Sequence, residues 1–270
     1  MNHMNTPIIL NKGQYTGKIT DIHYLKGLIV GTTLYPEETS NSPVHYHENP
    51  HISLLLQGGH VEKRLHSEFE RLPGDILFCF GGEAHQFITQ LFPSKNINLE
   101  LEYQFLQQYE IGENDIKKAI QENIDSRASI LKMYKETLIG DNLSEVTIQM
   151  LFLSVAKDFN KLANKRKPPW VLRLIEILND RWNESPTLQE LSFLTGVHPV
   201  TISKNFTRFF ACTFGEYMRR IKINKSIELI RKTHLSLTDI SFECGFSDQS
   251  HFIRSFKAFT GWLPGKFRKL

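Results

Sequence analysis

Closely spaced cysteines are missing from this chain. Its three, Cys79, Cys212 and Cys244, lie far apart, which excludes a disulfide-stapled scaffold and a thiolate zinc cluster. They are expected as reduced, buried, small apolar residues of a cytosolic protein. No run of residues nears the roughly 18 apolar positions of a membrane span. The opening MNHMNTPIILNKGQY lacks the basic segment, apolar core and cleavage site of a secretory leader. A soluble, cytoplasmic protein with no membrane contact is the expectation. Strong net charge is also absent, at +3 over 270 residues. Its distribution is more telling, because residues 168–270 carry 15 Lys and Arg against 9 Asp and Glu, while residues 1–167 carry 17 against 20. A basic C-terminal part on a slightly acidic N-terminal part is the asymmetry of a polyanion-binding module joined to something else.

The hydrophobic content, 40% of residues, is enough for packed cores. Residues up to about 110 hold short apolar runs between Gly and Pro: GLIVGTTLY, HISLLLQGG, GDILFCF, HQFITQLF and NINLELEYQF. Such runs read as strands, and many of them favour an antiparallel barrel or sandwich. From about Glu113 helical patterns take over: NDIKKAIQENI, SRASILKMYKETLIG with Gly140 as a stop, and SEVTIQMLFLSVAKDFNKL. The last puts Ile148, Leu151, Phe152, Val155, Phe159 and Leu162 at helical spacing. The charged, proline-paired NKRKPP then marks a linker. The expected organisation is a β-barrel over 1–110, a helical linker or dimerisation segment over 111–164, and an all-α domain over 165–270.

The all-α part contains a repeat. LQELSFLTGVHPVTISKNF (188–206) sits over LTDISFECGFSDQSHFIRSF (237–256), matching Leu188, Leu191, Ser192, Phe193, Gly196 and Val197 to Leu237, Ile240, Ser241, Phe242, Gly245 and Phe246. Each copy opens with a capping-box pattern, Thr187-x-x-Glu190 and Ser236-x-x-Asp239, the second a weaker variant. Each continues as short apolar helix, glycine turn and second helix, the layout of a helix-turn-helix, spanning about 187–210 and 236–260. In the second helices Ile202, Phe206 and Phe209, and Phe252, Phe256 and Phe259, form buried stripes. Val200, Lys204, Thr207 and Arg208 then face outward in the first copy, and Ser250, Arg254, Lys257 and Ala258 in the second. A major groove about 12 Å wide admits one such helix, and outward polar side chains reach base edges or phosphates. The helix between the copies offers Arg219, Arg220, Lys222, Lys225, Arg231 and Lys232 to phosphate or to solvent.

Residues 168–270 resemble the AraC/XylS family of bacterial transcriptional regulators. The resemblance rests on Ile240-Ser241, Cys244-Gly245-Phe246, Gln249-Ser250-His251-Phe252, Arg254-Ser255-Phe256-Lys257, Thr260-Gly261, Pro264 and Phe267. It implies a seven-helix domain with two helix-turn-helix units on a long connecting helix, binding double-stranded promoter DNA, contacting RNA polymerase and usually activating. Carried over by position, the DNA-contacting residues are Val200, Thr201, Ser203, Lys204 and Arg208 in the first unit. In the second they are Gln249, Ser250, His251, Arg254 and Lys257. Pro199 opens the first recognition helix, Val200 stands where a polar or aromatic reader is common, and Ala211 stands where the family often has Gly.

The stretch PVHYHENPHISLLLQGG (43–59) with LPGDILFCFGGEAHQF (72–87) resembles the two motifs of the cupin, or jelly-roll, barrel over roughly residues 8–105. His45, His47 and His85 match the family's inward histidines, and His51 stands near the place of its Glu. Four imidazoles suit a divalent transition metal rather than magnesium or calcium. They equally suit the lining of a small-molecule effector pocket or a scaffold role, and Glu48 suits a loop cap. Cys79 and Phe80 read as core, and His60 and His66 as isolated. The expected protein is an effector-responsive DNA-binding regulator, a possible homodimer through the helices near 113–163, and not an enzyme. The alternative is a metal-dependent cupin enzyme with a basic helical appendage.

Overall fold

A computed structural model describes residues 7–36, 41–158 and 167–270. The chain divides into two compact units, Met1–Lys157 and Asp158–Leu270.

In the first unit, eight strands among the described residues join one sheet: β1 (Ile8–Leu10), β2 (Lys18–Leu25), β3 (Leu28–Tyr35), β4 (His45–His47), β5 (His51–Arg64), β6 (Ser67–Arg71), β7 (Ile76–Cys79) and β8 (His85–Leu101). The long β8 is its spine. It pairs antiparallel with β3 and β4 on one side and with β5 on the other, and β5 in turn carries β6 and β7. The runs HQFITQLF and NINLELEYQF, expected as two strands, are one strand, and Tyr103–Phe105 open a helix instead. Pro93 gives β8 no N–H at that point, and β5 answers with register shifts between Leu55 and His60 rather than with a break. Strands β1, β2, β4 and β6 carry too few consecutive apolar residues to announce themselves; β6 is the short, charged edge SEFER.

Alternate residues of these strands separate two environments. His51 and Ser53 of β5 and Asn96 and Asn98 of β8 line a polar chamber, whereas Ile52, Leu54, Ile97 and Leu99 are buried on the opposite face. That apolar face is backed by helices. Helix α1 (Tyr103–Gln108), α2 (Glu113–Glu122), α3 (Ser126–Ile139) and α4 (Ser144–Leu153) follow the sheet, with α3 packed on β3 and β8 and α2 on β7. Gly140 ends α3 in the left-handed region, at φ +64°. The helix expected over 144–162 ends as α at Leu153 and continues as a π-turn to Asp158; Phe159, Leu162 and the first residues of NKRKPP lie outside the described residues. Ile148, Phe152 and Val155 are buried as expected.

The second unit has seven helices among its described residues: α5 (Pro169–Asp180), α6 (Leu188–Thr195), α7 (Pro199–Phe210), α8 (Phe214–Lys232), α9 (Leu237–Glu243), α10 (Gln249–Thr260) and α11 (Pro264–Phe267). Capping boxes start α6, α8 and α9, each with a Thr or Ser side chain accepting the N–H of an acidic residue three positions on. The two copies of the repeat become α6–α7 and α9–α10. Ile202 and Phe206, and fifty residues later Phe252 and Phe256, are buried. Phe209 and Phe259 are only half-buried, and Phe209 meets Trp170 edge-on at 5.8 Å. In the second copy Phe246, Phe252, Phe256 and Phe267 form a chain of ring contacts at 5.4–5.7 Å. Rings so arranged bury much area with few rotatable bonds, which lets a twelve-residue helix hold one face outward.

Of the residues of this unit that sit in the left-handed region, Gly245 and Ala211 have opposite fitness for it. Gly245 has φ +68°, and a Cβ there would collide with the Asn183 carbonyl. Ala211, at φ +55°, caps α7 where a glycine would be unstrained. Gly245→Ala should therefore destabilise the fold by more than about 2 kcal/mol, and Ala211→Gly should stabilise it by about 0.5–1 kcal/mol. Chemical denaturation of both variants, read by circular dichroism, checks the opposed signs.

Candidate DNA interface and buried histidine chamber

Helix α7 begins at Pro199, whose missing N–H costs nothing at a first helical position, with the His198 imidazole accepting the Val200 N–H. Helix α10 begins after Asp248, whose carboxylate accepts the His251 N–H at 2.7 Å. This bond lowers the Asp248 pKa. With the aromatic stripes turned inward, Val200, Thr201, Ser203, Lys204 and Arg208 are exposed on α7, as are Ser250, Arg254 and Lys257 on α10. Gln249 and His251 are half-exposed, and His251 packs edge-on against Phe246 at 5.3 Å. The ten residues named from the resemblance thus lie on two corresponding helices, and eight of them face solvent.

The connecting helix α8 corrects one expectation. Lys222 is buried, and its ammonium donates to the Gly245 carbonyl at 2.9 Å, fixing the second turn. Arg231 donates to the carbonyls of Phe267 and Arg268 and is half-buried. Burial lowers the pKa of both, to about 10 for Arg231. These two cations serve the fold and are not available to phosphate. Lys225 lies 3.6 Å from Glu228, and Arg219 and Lys232 are exposed.

In the first unit, β4 and β8 bring His45 opposite His85 in register, and His47 follows on the same face of β4. All four expected histidines converge, with ring centroids 4.3 Å apart for His45–His85 and 4.2 Å for His47–His51. All are at least 95% buried. His45 Nδ1 lies 2.8 Å from the Pro43 carbonyl and His85 Nδ1 2.9 Å from that of Glu83. Each Nδ1 therefore carries the proton, which leaves each Nε2 as a lone pair. The donor atoms of His45, His47 and His85 lie within 4.8 Å of one another.

Two expectations change here. His60 is not isolated but lines the chamber, 3.9 Å from the buried Glu62 carboxylate. Cys79 lines it too, with Arg71 and Tyr15. Glu48 is exposed and stays outside. The parity of β5 explains the miss: odd residues 51 and 53 face inward before the register shifts, and even residues 60 and 62 after them. His66 is exposed in the turn after β5. The chamber itself encloses about 30 Å³, on a scale where one water needs 10–15 Å³.

Burial is the largest influence on these imidazoles and pulls each pKa down. The neighbouring His85 adds to it for His45, at about 4, and His85 with His45 for His47, at about 3. His51, His60 and His85 are lowered likewise, by burial first. Burial raises Glu62 against the partly offsetting Arg71 and Arg64, and raises the Cys79 thiol well above its ordinary range. At neutral pH the histidines are uncharged, the form that ligates metal.

A family model described as "Helix-turn-helix domain" matches residues 191–270. The transcriptional activator RhaS of Escherichia fergusonii is 22% identical over 154 residues, 55% of each chain. The uncharacterized helix-turn-helix transcriptional regulator YbfI of Bacillus subtilis is 24% identical over 222 residues, 77% of this chain and 80% of its own. The chain spans about half the length, or less, of most such relatives. The solved ToxT of Vibrio cholerae O395 is similar over 90% of this chain and 98% of its own, at 12% identity and a TM-score of 0.37. No helix among the described residues is long and apolar enough to cross a membrane.

The depressed histidines fix a pH dependence. The unfolded chain binds protons below its ordinary pKa of 6.5, while folded His45 and His47 resist them down to about 4 and about 3. Stability is thus fully present above pH 6.5 and is lost as pH falls through 6.5 toward 4. At pH 5 the loss is on the order of 2 kcal/mol for each such histidine. Melting of the metal-free protein at pH 7.5 and pH 5 tests this; an unchanged midpoint for the first unit would defeat it.

Proposed function

We propose, from a C-terminal domain that belongs to the AraC-type helix-turn-helix regulators, that this chain binds specific duplex DNA through α7 and α10 and regulates transcription in response to an occupant of its N-terminal chamber. The observation that carries this reading is the duplication of an outward polar face. Lys204 and Thr207 on α7, and fifty residues later Arg254 and Lys257 on α10, are held out by buried aromatics. An enzyme with a basic appendage would have no use for two matched recognition helices. In this reading residues 187–210 and 236–260 are the two DNA-binding units, and the sheet of residues 1–110 is a cupin-like, jelly-roll sensing barrel. Contact with RNA polymerase at a promoter belongs to it as well.

The volume of the chamber bears on what it senses. About 30 Å³ is room for an ion with one or two waters. Neutral imidazoles with free lone pairs fit a divalent transition metal, and His45, His47 and His85 form one set that would hold it, with His51 beside His47. Such an ion would supply a cross-link among β4, β5 and β8. The protein's part is to present unprotonated nitrogens, oriented by the Pro43 and Glu83 carbonyls, and to exclude bulk water. Coupling to DNA requires the occupant to bind one domain arrangement more tightly than the other.

A homodimer through the helical segment 111–164 completes the reading. Helix α4 is apolar on both sides: Ile148 and Phe152 are buried, whereas Val146 and Met150, with Leu143 beside them, are 53%, 66% and 69% exposed. Leu138 and Ile139 at the end of α3 extend the patch. A helix with a second, exposed apolar patch calls for a cover on it. Met150→Glu with Val146→Glu should leave the fold intact and give a monomer in sedimentation; an unaltered mass, or a wild type that is monomeric, would discard the dimer.

Arg254→Ala should weaken specific DNA binding by about 1–3 kcal/mol if the guanidinium reads a base. If it holds phosphate, specific and random sites should weaken alike and the salt dependence should become shallower by about one ion. Binding titrations at several salt concentrations separate the two, and unchanged affinity in both would remove Arg254 from the interface.

A further inference from the structure

His45, His47 and His85 do not exhaust the donors of the chamber. His51 of β5 and Cys79 of β7 are directly opposed in the sheet register. The donor atoms of His51, Cys79 and His85 all lie within 4.8 Å of one another, and all three residues are buried. His51 is 5% exposed, and its Nδ1 lacks a hydrogen-bond partner, a costly condition for a buried polar atom. Arg64 extends Nη2 to within 3.5 Å of the Cys79 sulfur while its Nη1 donates to the Glu83 carboxylate at 2.7 Å. A guanidinium in that position offsets negative charge on sulfur, as supporting groups do around metal ligands.

We propose that Cys79 supplies a thiolate, together with the imidazoles of His51 and His85, to a cation in the chamber, so that the chamber selects thiophilic cations of the Zn²⁺ class over Mn²⁺. This rests on the reading that the chamber holds a transition-metal ion. The His85 Nδ1 is committed to the Glu83 carbonyl, which leaves one ring nitrogen for a metal. The two donor sets share that nitrogen, so the chamber completes one of them at a time and holds one ion. A sulfur donor decides in favour of softer cations, whereas three imidazoles alone accept most of the first-row series. On binding, the Cys79 S–H bond breaks, a sulfur–metal bond forms and the proton passes to solvent. No oxidation state changes.

The test is an anaerobic titration of the full chain, purified without chelator or nickel resin, with Co²⁺ as the spectroscopic probe. The expected result is visible ligand-field absorption together with a near-ultraviolet sulfur-to-cobalt charge-transfer band, both discharged by one equivalent of Zn²⁺. Cys79→Ser, with its fold verified by circular dichroism, should lose the charge-transfer band, keep ligand-field absorption and bind Co²⁺ about tenfold or more weakly. Ligand-field absorption without the sulfur band in the wild type would overturn the assignment of Cys79 and leave the metal reading standing. A sulfur band that persists in Cys79→Ser would also overturn it, since the ligand would then be Cys212 or Cys244. A wild type that takes up no Co²⁺ at all would overturn both.

Discussion

Desolvation of the imidazoles in the sheet interior is the constraint on which the first unit depends. Five histidines inside one small space would repel one another if charged, and burial keeps them neutral. That arrangement requires strands on several sides to exclude water at once, which β8 provides by pairing with β3 and β4 on one edge and β5 on the other. The apolar core then lies on the outer face, under α3 and its neighbours, rather than in the middle of the sheet. Polar lining on one face and hydrophobic packing on the other divide the sheet into two environments. The proposed metal reading draws on the small volume and on the Nε2 lone pairs that the Nδ1 bonds of His45 and His85 leave.

The second unit solves a different problem by other means. It must hold two short helices rigidly while leaving one face of each bare. Capping boxes start three of its helices and left-handed residues end α6, α7 and α10. Chains of aromatic rings anchor α7 and α10 from beneath. Even charge is recruited, because the Lys222 ammonium holds the Gly245 carbonyl where the second turn is tightest. A basic helix read from sequence as facing phosphate or solvent is therefore partly an internal brace.

Legibility differed between the units for a physical reason. In α7 and α10 the 3.6-residue period is uninterrupted, so spacing alone separated Phe252 and Phe256 from Arg254 and Lys257. In the sheet the period is two, and one shift of register exchanges the faces. His45, His47, His51 and His85 lie in unshifted stretches near recognisable motifs and could be gathered from sequence. His60 and Glu62 lie beyond the bulges of β5, and Cys79 sits in an apolar run that reads as core.

The amino-acid sequence by itself determined the order of strand-rich and helical parts, the helix-turn-helix duplication and the outward faces of its second helices. These follow from local period, turn chemistry and capping, which act over a few residues. Only the tertiary structure decided that two strands are one, that Lys222 and Arg231 turn inward, and that Cys79, His60 and Glu62 join the histidines. Those outcomes depend on strand register and on cross-chain burial, and no local pattern carries the position of a partner tens of residues away.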